Sequence, residues 1–295
     1  MPVSKTLIKT RDILIVTGFF IVMMIVGSFA DYQISLALHN ENNFFGIILG
    51  AYGQLPAFLC LQVGGILLFL GRNKERKLIC VLQAIGGLVL FLFSIVAFMY
   101  VPLEYMEHFA NGKTISMVVG VLLSVAVLFL VFKMSKSAER TDMIRVATVF
   151  LLTVVVEMVV INVIKIPWGR PRMRLIAINS EVTFTPWWIA GSTVKDTIMG
   201  KFGVASNEFK SFPSGHTCDA AMAMLLPLIT LLQPKWKGKE TLLFFIGATW
   251  GVLVAISRII VGAHFVTDTM VGFAIALLVV VVGVRIAFKD KIQPV

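Results

Sequence analysis

The chain has 295 residues, 58% of them hydrophobic and 14% charged, and its mean hydropathy is +0.92. Soluble globular domains carry roughly 45–50% apolar and about 25% charged residues, so this composition excludes a water-soluble fold and implies an integral membrane protein. A net charge of +10, four histidines and three scattered cysteines (Cys60, Cys80, Cys218) leave no disulfide framework and little material for a metal site built by the protein.

A membrane span needs about 20 apolar residues. Along the chain this predicts eight helices, at 13–30, 52–70, 78–100, 115–132, 146–164, 217–232, 241–260 and 267–288. The fold class is therefore all-α, a polytopic helical bundle forming a single membrane-embedded domain over 1–295. The basic N-terminus, MPVSKTLIKTRD, precedes an apolar run with no small-residue cleavage site, and is read as leading into a retained first helix. No internal repeat is visible. The stretch 165–216 is the only long non-helical segment expected, and a connection of that length implies function.

The positive charge marks topology. With the N-terminus taken as cytoplasmic, the inner segments carry Lys5, Lys9 and Arg11, then Arg72, Lys74, Arg76 and Lys77, and then Lys133, Lys136, Arg140 and Arg145. Lys235, Lys237 and Lys239 follow, and finally Arg285, Lys289 and Lys291. Before residue 165 the outer loops carry only Lys113. Positive residues collect in cytoplasmic loops, so both termini are expected inside, and the basic balance reflects contact with anionic lipid rather than nucleic acid. The exceptions are Lys165, Arg170, Arg172, Arg174, Lys195, Lys201 and Lys210 in the long outer loop, and Arg258 at the outer end of the seventh helix. Cations on the disfavoured side point to an anionic ligand.

Three clusters fall on that same side. The first is KIPWGRPR, from Lys165 to Arg172. The second is FPSGH, where Pro213, Ser214, Gly215 and His216 open the sixth helix. The third is Ser257-Arg258, followed by His264 and Asp268. A bound phosphate needs cationic donors in fixed geometry and few competing carboxylates. His264 and Asp268 are four apart, which places them on one face of a helical turn, where a carboxylate can fix an imidazole tautomer and keep it nucleophilic.

These clusters resemble the signature of the type 2 phosphatidic acid phosphatase (PAP2-like) superfamily: Lys-x6-Arg-Pro, then Pro-Ser-Gly-His, then Ser-Arg-x5-His-x3-Asp. The second and third are complete here. In the first, Lys165 and Arg172 keep the spacing, but Met173 stands where the proline is usual. The resemblance covers roughly 145–288. It implies a six-helix phosphatase-type core, so two of the eight helices are additional, and 78–132 is expected to be an inserted hairpin. It implies hydrolysis of a lipid phosphomonoester or diphosphate, phosphatidate-like or polyprenyl, through a phosphohistidine. His264 would be the nucleophile, Asp268 its orienting carboxylate, and His216 the group that protonates the leaving oxygen and then activates water. Lys165, Arg172 and Arg258, with Ser214 and the Gly215 backbone, would hold the non-bridging oxygens. No metal and no cofactor is implied. Arg170 precedes a proline and is kept as a possible phosphate ligand, but spacing from Lys165 favours Arg172 because the proline only stiffens the turn. The active site is expected at the extracytoplasmic face of the cell membrane, with the bilayer and a lipid phosphate as partners.

Other readings stand beside these. A lipid phosphotransferase of the same fold would share the phosphohistidine. An anion transporter would show internal repeats and broken helices, which the sequence does not suggest. Glu157, inside the fifth helix, is read as structurally paired within the bundle near Lys165. Trp187 and Trp188 are read as interfacial anchors, His39 and His108 as ordinary outer-loop residues, and the 14 methionines as core or lipid-facing filler.

Overall fold

The computed structural model describes residues 7–106, 109–191 and 195–289. In chain order the helices are α1 (Thr10–Leu38), α2 (Phe44–Tyr52), α3 (Leu55–Leu70), α4 (Lys77–Tyr100) and the single turn α5 (Leu103–Met106). They continue with α6 (Gly112–Ser135), α7 (Arg140–Trp168), α8 (Met173–Ile178), α9 (Lys195–Phe202), α10 (Gly215–Ala221), α11 (Ile229–Leu232), α12 (Glu240–Ile260) and α13 (Val266–Ala287). No β-strand occurs among the described residues, and eight helices or helix pairs are long and apolar enough to cross a membrane. All eight predicted spans are present.

The differences from expectation have local causes. The second span is two helices, broken between Tyr52 and Leu55, with Pro56 in the first turn of α3, where its missing N–H is harmless. The sixth span begins as α10, tightens into a 3-10 segment at Met222–Leu228 containing Pro227, and ends as α11. A proline cannot donate the backbone bond that an unbroken α-helix requires. The expected non-helical stretch 165–216 is corrected: α7 runs on to Trp168, and α8, α9 and a 3-10 turn at Ser206–Phe209 follow. These pieces are too short for a span, but they close over a small core of Leu175, Val182, Ile198 and Phe209. Gly169, with φ of 68°, takes the left-handed conformation that ends α7 and turns the chain into this cap.

Lipid tails are as apolar as leucine, so helices in a bilayer associate through close packing rather than exclusion from water. Small residues do that work here. A Cβ on Gly65 of α3 would lie 2.9 Å from the Gly87 carbonyl oxygen of α4, so only glycine permits this approach. The α4–α5–α6 hairpin packs on α3, which in turn packs on α7. On the other side α12 meets α2 and α10, and α13 meets α1, α7 and α10. Phe150, Phe244, Phe273 and Phe288 fill the interior, while Leu14, Phe29, Leu82, Leu122 and Leu278 face outward as an apolar coat suited to lipid.

One end of this bundle gathers the C-terminal ends of α7 and α12, the N-terminal ends of α10 and α13, the last turns of α1, and α5. All three sequence clusters converge there.

Candidate active site

Arg170, in the turn after α7, is the hub of a buried network. Its guanidinium donates to the Thr185 carbonyl (2.8 Å), Thr267 Oγ1 (2.9 Å), Asp268 Oδ1 (2.5 Å) and Asp31 Oδ2 (2.9 Å). Phe184 and Phe265 flank it, with ring centroids 5.2 Å and 4.3 Å away. Asp31 comes from α1 and also accepts from the backbone N–H of Thr267 (3.0 Å) and from its hydroxyl. The network ties α1, the post-α7 turn and the start of α13 together. Arg170 spends its donors on the protein itself.

Asp268 is equally committed. Besides Arg170 it accepts from Ser211 Oγ (2.5 Å) and from the Phe265 backbone N–H (2.8 Å). The expected direct clasp on His264 is not the closest contact, since Nδ1 lies 3.9 Å from Asp268 Oδ2 but 2.5 Å from the Ser211 carbonyl oxygen. A carbonyl can only accept, so Nδ1 carries the proton and Nε2 keeps its lone pair. Asp268 acts on His264 through Ser211, whose hydroxyl it holds. Burial pushes the His264 imidazole well below the ordinary histidine value. The charges of Arg172, Lys165 and His216 push the same way, and the Ser211 bond opposes them. On balance these influences favour the neutral imidazole.

The cations frame this imidazole. Lys165 and Arg172 lie within electrostatic range of both His264 and His216. A Cβ on Gly215 would sit 3.5 Å from Lys165 Nζ, which places the ammonium directly over the start of α10. The Arg172 backbone N–H donates to the Glu208 carbonyl (2.9 Å), and the Glu208 carboxylate grips Arg174 with two bonds (2.9 and 2.5 Å). Arg258 donates to Ser257 Oγ (3.2 Å) and to the Gly46 carbonyl of α2. Among the described residues Arg172 Nε and Arg258 Nη1 are buried with no hydrogen-bond partner. Such groups are costly unless an acceptor meets them. The two arginines of the first motif thus differ: Arg170 braces the fold, and Arg172 has donor capacity left.

His216 faces a residue the motifs do not contain. Its Nε2 lies 3.0 Å from the hydroxyl of Tyr105 in α5, whose ring stands edge-on at 86°. Ser214 is less free than expected, because its hydroxyl caps α10 by accepting from the Thr217 N–H (3.3 Å) and its own N–H donates to the Asp268 carbonyl (2.9 Å). Gly272 of α13 allows this approach, since a Cβ there would be 2.2 Å from the Ser214 carbonyl oxygen.

Glu157 is buried and paired, but with Asp219 and Cys218 of α10, while Lys165 is only an electrostatic neighbour. A hydrogen bond between two carboxyl groups needs one of them protonated. Trp187 is more than an anchor: its ring lies 6.2 Å from Phe212 at 22° and its indole N–H donates to Ser28 of α1 (3.0 Å), whereas Trp188 is 56% exposed. His39 ends α1 against Gly262 and pairs with Glu41 (3.3 Å). His108 lies outside the described residues. Sequence reasoning missed Ser211, Asp31 and Tyr105. Only Asp31, a carboxylate at the end of an apolar run, carried any signal. No group of three His, Cys, Asp or Glu side chains that could hold a metal occurs among the described residues.

Comparison with known proteins bears on the same region. Phosphatidylglycerophosphatase B of Bacillus subtilis (strain 168) is 39% identical over 70 residues, covering 23% of this chain and 34% of that protein. Phosphatidylglycerophosphatase B of Haemophilus influenzae (strain ATCC 51907 / DSM 11121 / KW20 / Rd) is 40% identical over 70 residues, covering 23% of this chain and 29% of that protein. The chain thus spans about a third of the length of these curated relatives. No solved structure gives a significant match. The PAP2 superfamily model matches residues 146–292, a range that holds all three motifs, and the chain belongs to that superfamily.

Proposed function

We propose that the protein hydrolyses the phosphate of a membrane lipid, a phosphomonoester or diphosphate, through a phosphohistidine. The observation that carries this reading is the pair of buried, unpartnered guanidinium atoms, Arg172 Nε and Arg258 Nη1, beside two histidines and a lysine. A phosphoryl group supplies the acceptors those atoms lack. His264 Nε2 attacks phosphorus, with Nδ1–H held on the Ser211 carbonyl as positive charge develops on the ring. His216 protonates the leaving oxygen and then removes a proton from the water that cleaves the phosphohistidine. Lys165, Arg172, Arg258 and the Gly215 N–H meet the charge on the equatorial oxygens.

The lipid class follows from placement. The apolar sides of the bundle support a site at head-group depth at one of its ends, and the basic-loop asymmetry of the sequence supports the extracytoplasmic leaflet. Phosphatidate-like lipids and polyprenyl diphosphates are the leading candidates, joined by phosphatidylglycerophosphate because the two relatives are named for it. The test is phosphate release by purified protein from these lipids and their short-chain, water-soluble counterparts. Long-chain substrates should have the higher kcat/KM, and His264→Ala should abolish turnover. Equal kcat/KM for both chain lengths would defeat the lipid reading. Release into an added alcohol instead of water would make the protein a phosphotransferase.

A further inference from the structure

Tyr105 lies outside the region that matches the family model, yet its hydroxyl is the partner of His216 Nε2 at 3.0 Å. Its ring also lies 5.2 Å from the Arg258 guanidinium carbon. The placement is supported on each side. Pro102 opens the turn that carries Tyr105, whose N–H donates to the Pro102 carbonyl (3.1 Å). On the opposite wall, a Cβ at Gly50 of α2 would lie 2.7 Å from Tyr105 Cδ1 and from both terminal nitrogens of Arg258. Only glycine leaves room for the two side chains together.

An imidazole nitrogen has one in-plane hydrogen-bonding direction. While Nε2 is bonded to Tyr105 it cannot give a proton to a leaving oxygen or take one from water. The phenol oxygen therefore stands where an ester oxygen of the substrate would have to stand. It does so beside the arginine that would hold the phosphate.

We propose that Tyr105 is a gate on His216, displaced by the oxygen of the incoming phosphate ester before proton transfer can begin. The proposal rests on the reading of His216 as the acid–base group. It makes the α4–α5–α6 hairpin part of substrate selection: a phosphate anchored by its lipid tail displaces the phenol more readily than one arriving from water. In the substrate-free protein the gate reduces apparent phosphate affinity to the intrinsic value multiplied by the fraction of molecules in which Nε2 is free.

The experiment compares wild type, Tyr105→Phe and Tyr105→Ala in detergent, titrated with inorganic phosphate by calorimetry. Phenylalanine keeps the ring and removes the hydroxyl, so it should bind phosphate about tenfold more tightly, the size of one competing hydrogen bond. KM for a short-chain lipid phosphate should fall with it. Unchanged or weaker phosphate binding by Tyr105→Phe would overturn the gate and leave Tyr105 a positioning residue. A second measurement needs no variant: nitration of Tyr105 in the wild-type protein, read by mass spectrometry, should speed up when phosphate is added. Protection or no change would overturn the proposal. If the wild-type protein binds phosphate but releases none from any lipid phosphate, the proposed function fails rather than the gate.

Discussion

Exchanging each arginine of the first motif for lysine should separate bracing of the fold from phosphate binding. In Arg170→Lys one ammonium replaces a fork that serves four acceptors on three segments: Thr185 O, Thr267 Oγ1, Asp268 Oδ1 and Asp31 Oδ2. The Arg170 and Asp268 side chains are 0% exposed and Asp31 is 3% exposed, so water cannot compensate. An ammonium has three donors diverging from one point and no planar fork, and at least one carboxylate is left short. Breaking a buried pair in this way costs about 3–5 kcal/mol. Arg172→Lys should leave stability within about 1 kcal/mol of wild type, because Arg172 Nε has no partner to lose. Phosphate or vanadate affinity should instead drop roughly 10- to 100-fold, the size of one or two charge-assisted hydrogen bonds. Thermal unfolding in detergent and vanadate inhibition of phosphate release read the two effects separately. The reverse pattern, with Arg172→Lys melting early and Arg170→Lys only weakening vanadate, would refute the division of roles.

Three further outcomes are expected. Gly50→Ala places a methyl 2.7 Å from Arg258 and Tyr105 and should reduce kcat/KM by roughly tenfold or more through displacement of Arg258, whereas Gly18→Ala, with nothing within 4 Å, should be neutral. The His264 imidazole is held below the ordinary histidine value of about 6.5, so kcat/KM should hold as pH falls through that value. Over the same window stability should decline on acidification, because the unfolded chain takes up a proton that native His264 refuses; a pH–rate profile with an acid limb at 6.5 assigned to His264 would contradict this. Burial alone would raise the Glu208 carboxyl, but the two bonds and charge of Arg174 outweigh it and hold it below the usual carboxylate range. That stability is present above the unfolded carboxylate value and is lost as pH falls through the lowered one, and Glu208→Gln should both lower the melting point modestly and weaken phosphate binding as Arg172 shifts.

The fold was legible because a bilayer imposes one rule, a run of about 20 apolar residues per span, and the eight spans emerge from it directly. Helices below that length were not: α8 is too short to register, α9 is both short and polar, and the break before α3 is hidden inside one apolar run. The candidate site was legible to the extent that the spaced motifs converge, with Lys165 and Arg172 in electrostatic range of both His216 and His264. It was opaque where tertiary packing supplies the partner. Nothing around Ser211 marks its carbonyl as the acceptor for His264 Nδ1. Tyr105 sits 111 positions from His216 in the chain, and only the fold of the hairpin brings them together. Spacing from Lys165 separates Arg172 from Arg170 in the sequence, but the partner that occupies Arg170, Asp31 from α1, comes only from the fold.

The central claim is that phosphorus passes through His264. Rapid quench at alkaline pH of protein mixed with a phosphorus-labelled lipid phosphate, followed by peptide mapping, tests it most directly. Label should appear on His264, stable to base and lost in acid, and should be absent in His264→Ala. Steady release of phosphate by His264→Ala, or label mapping to another residue, would contradict the account.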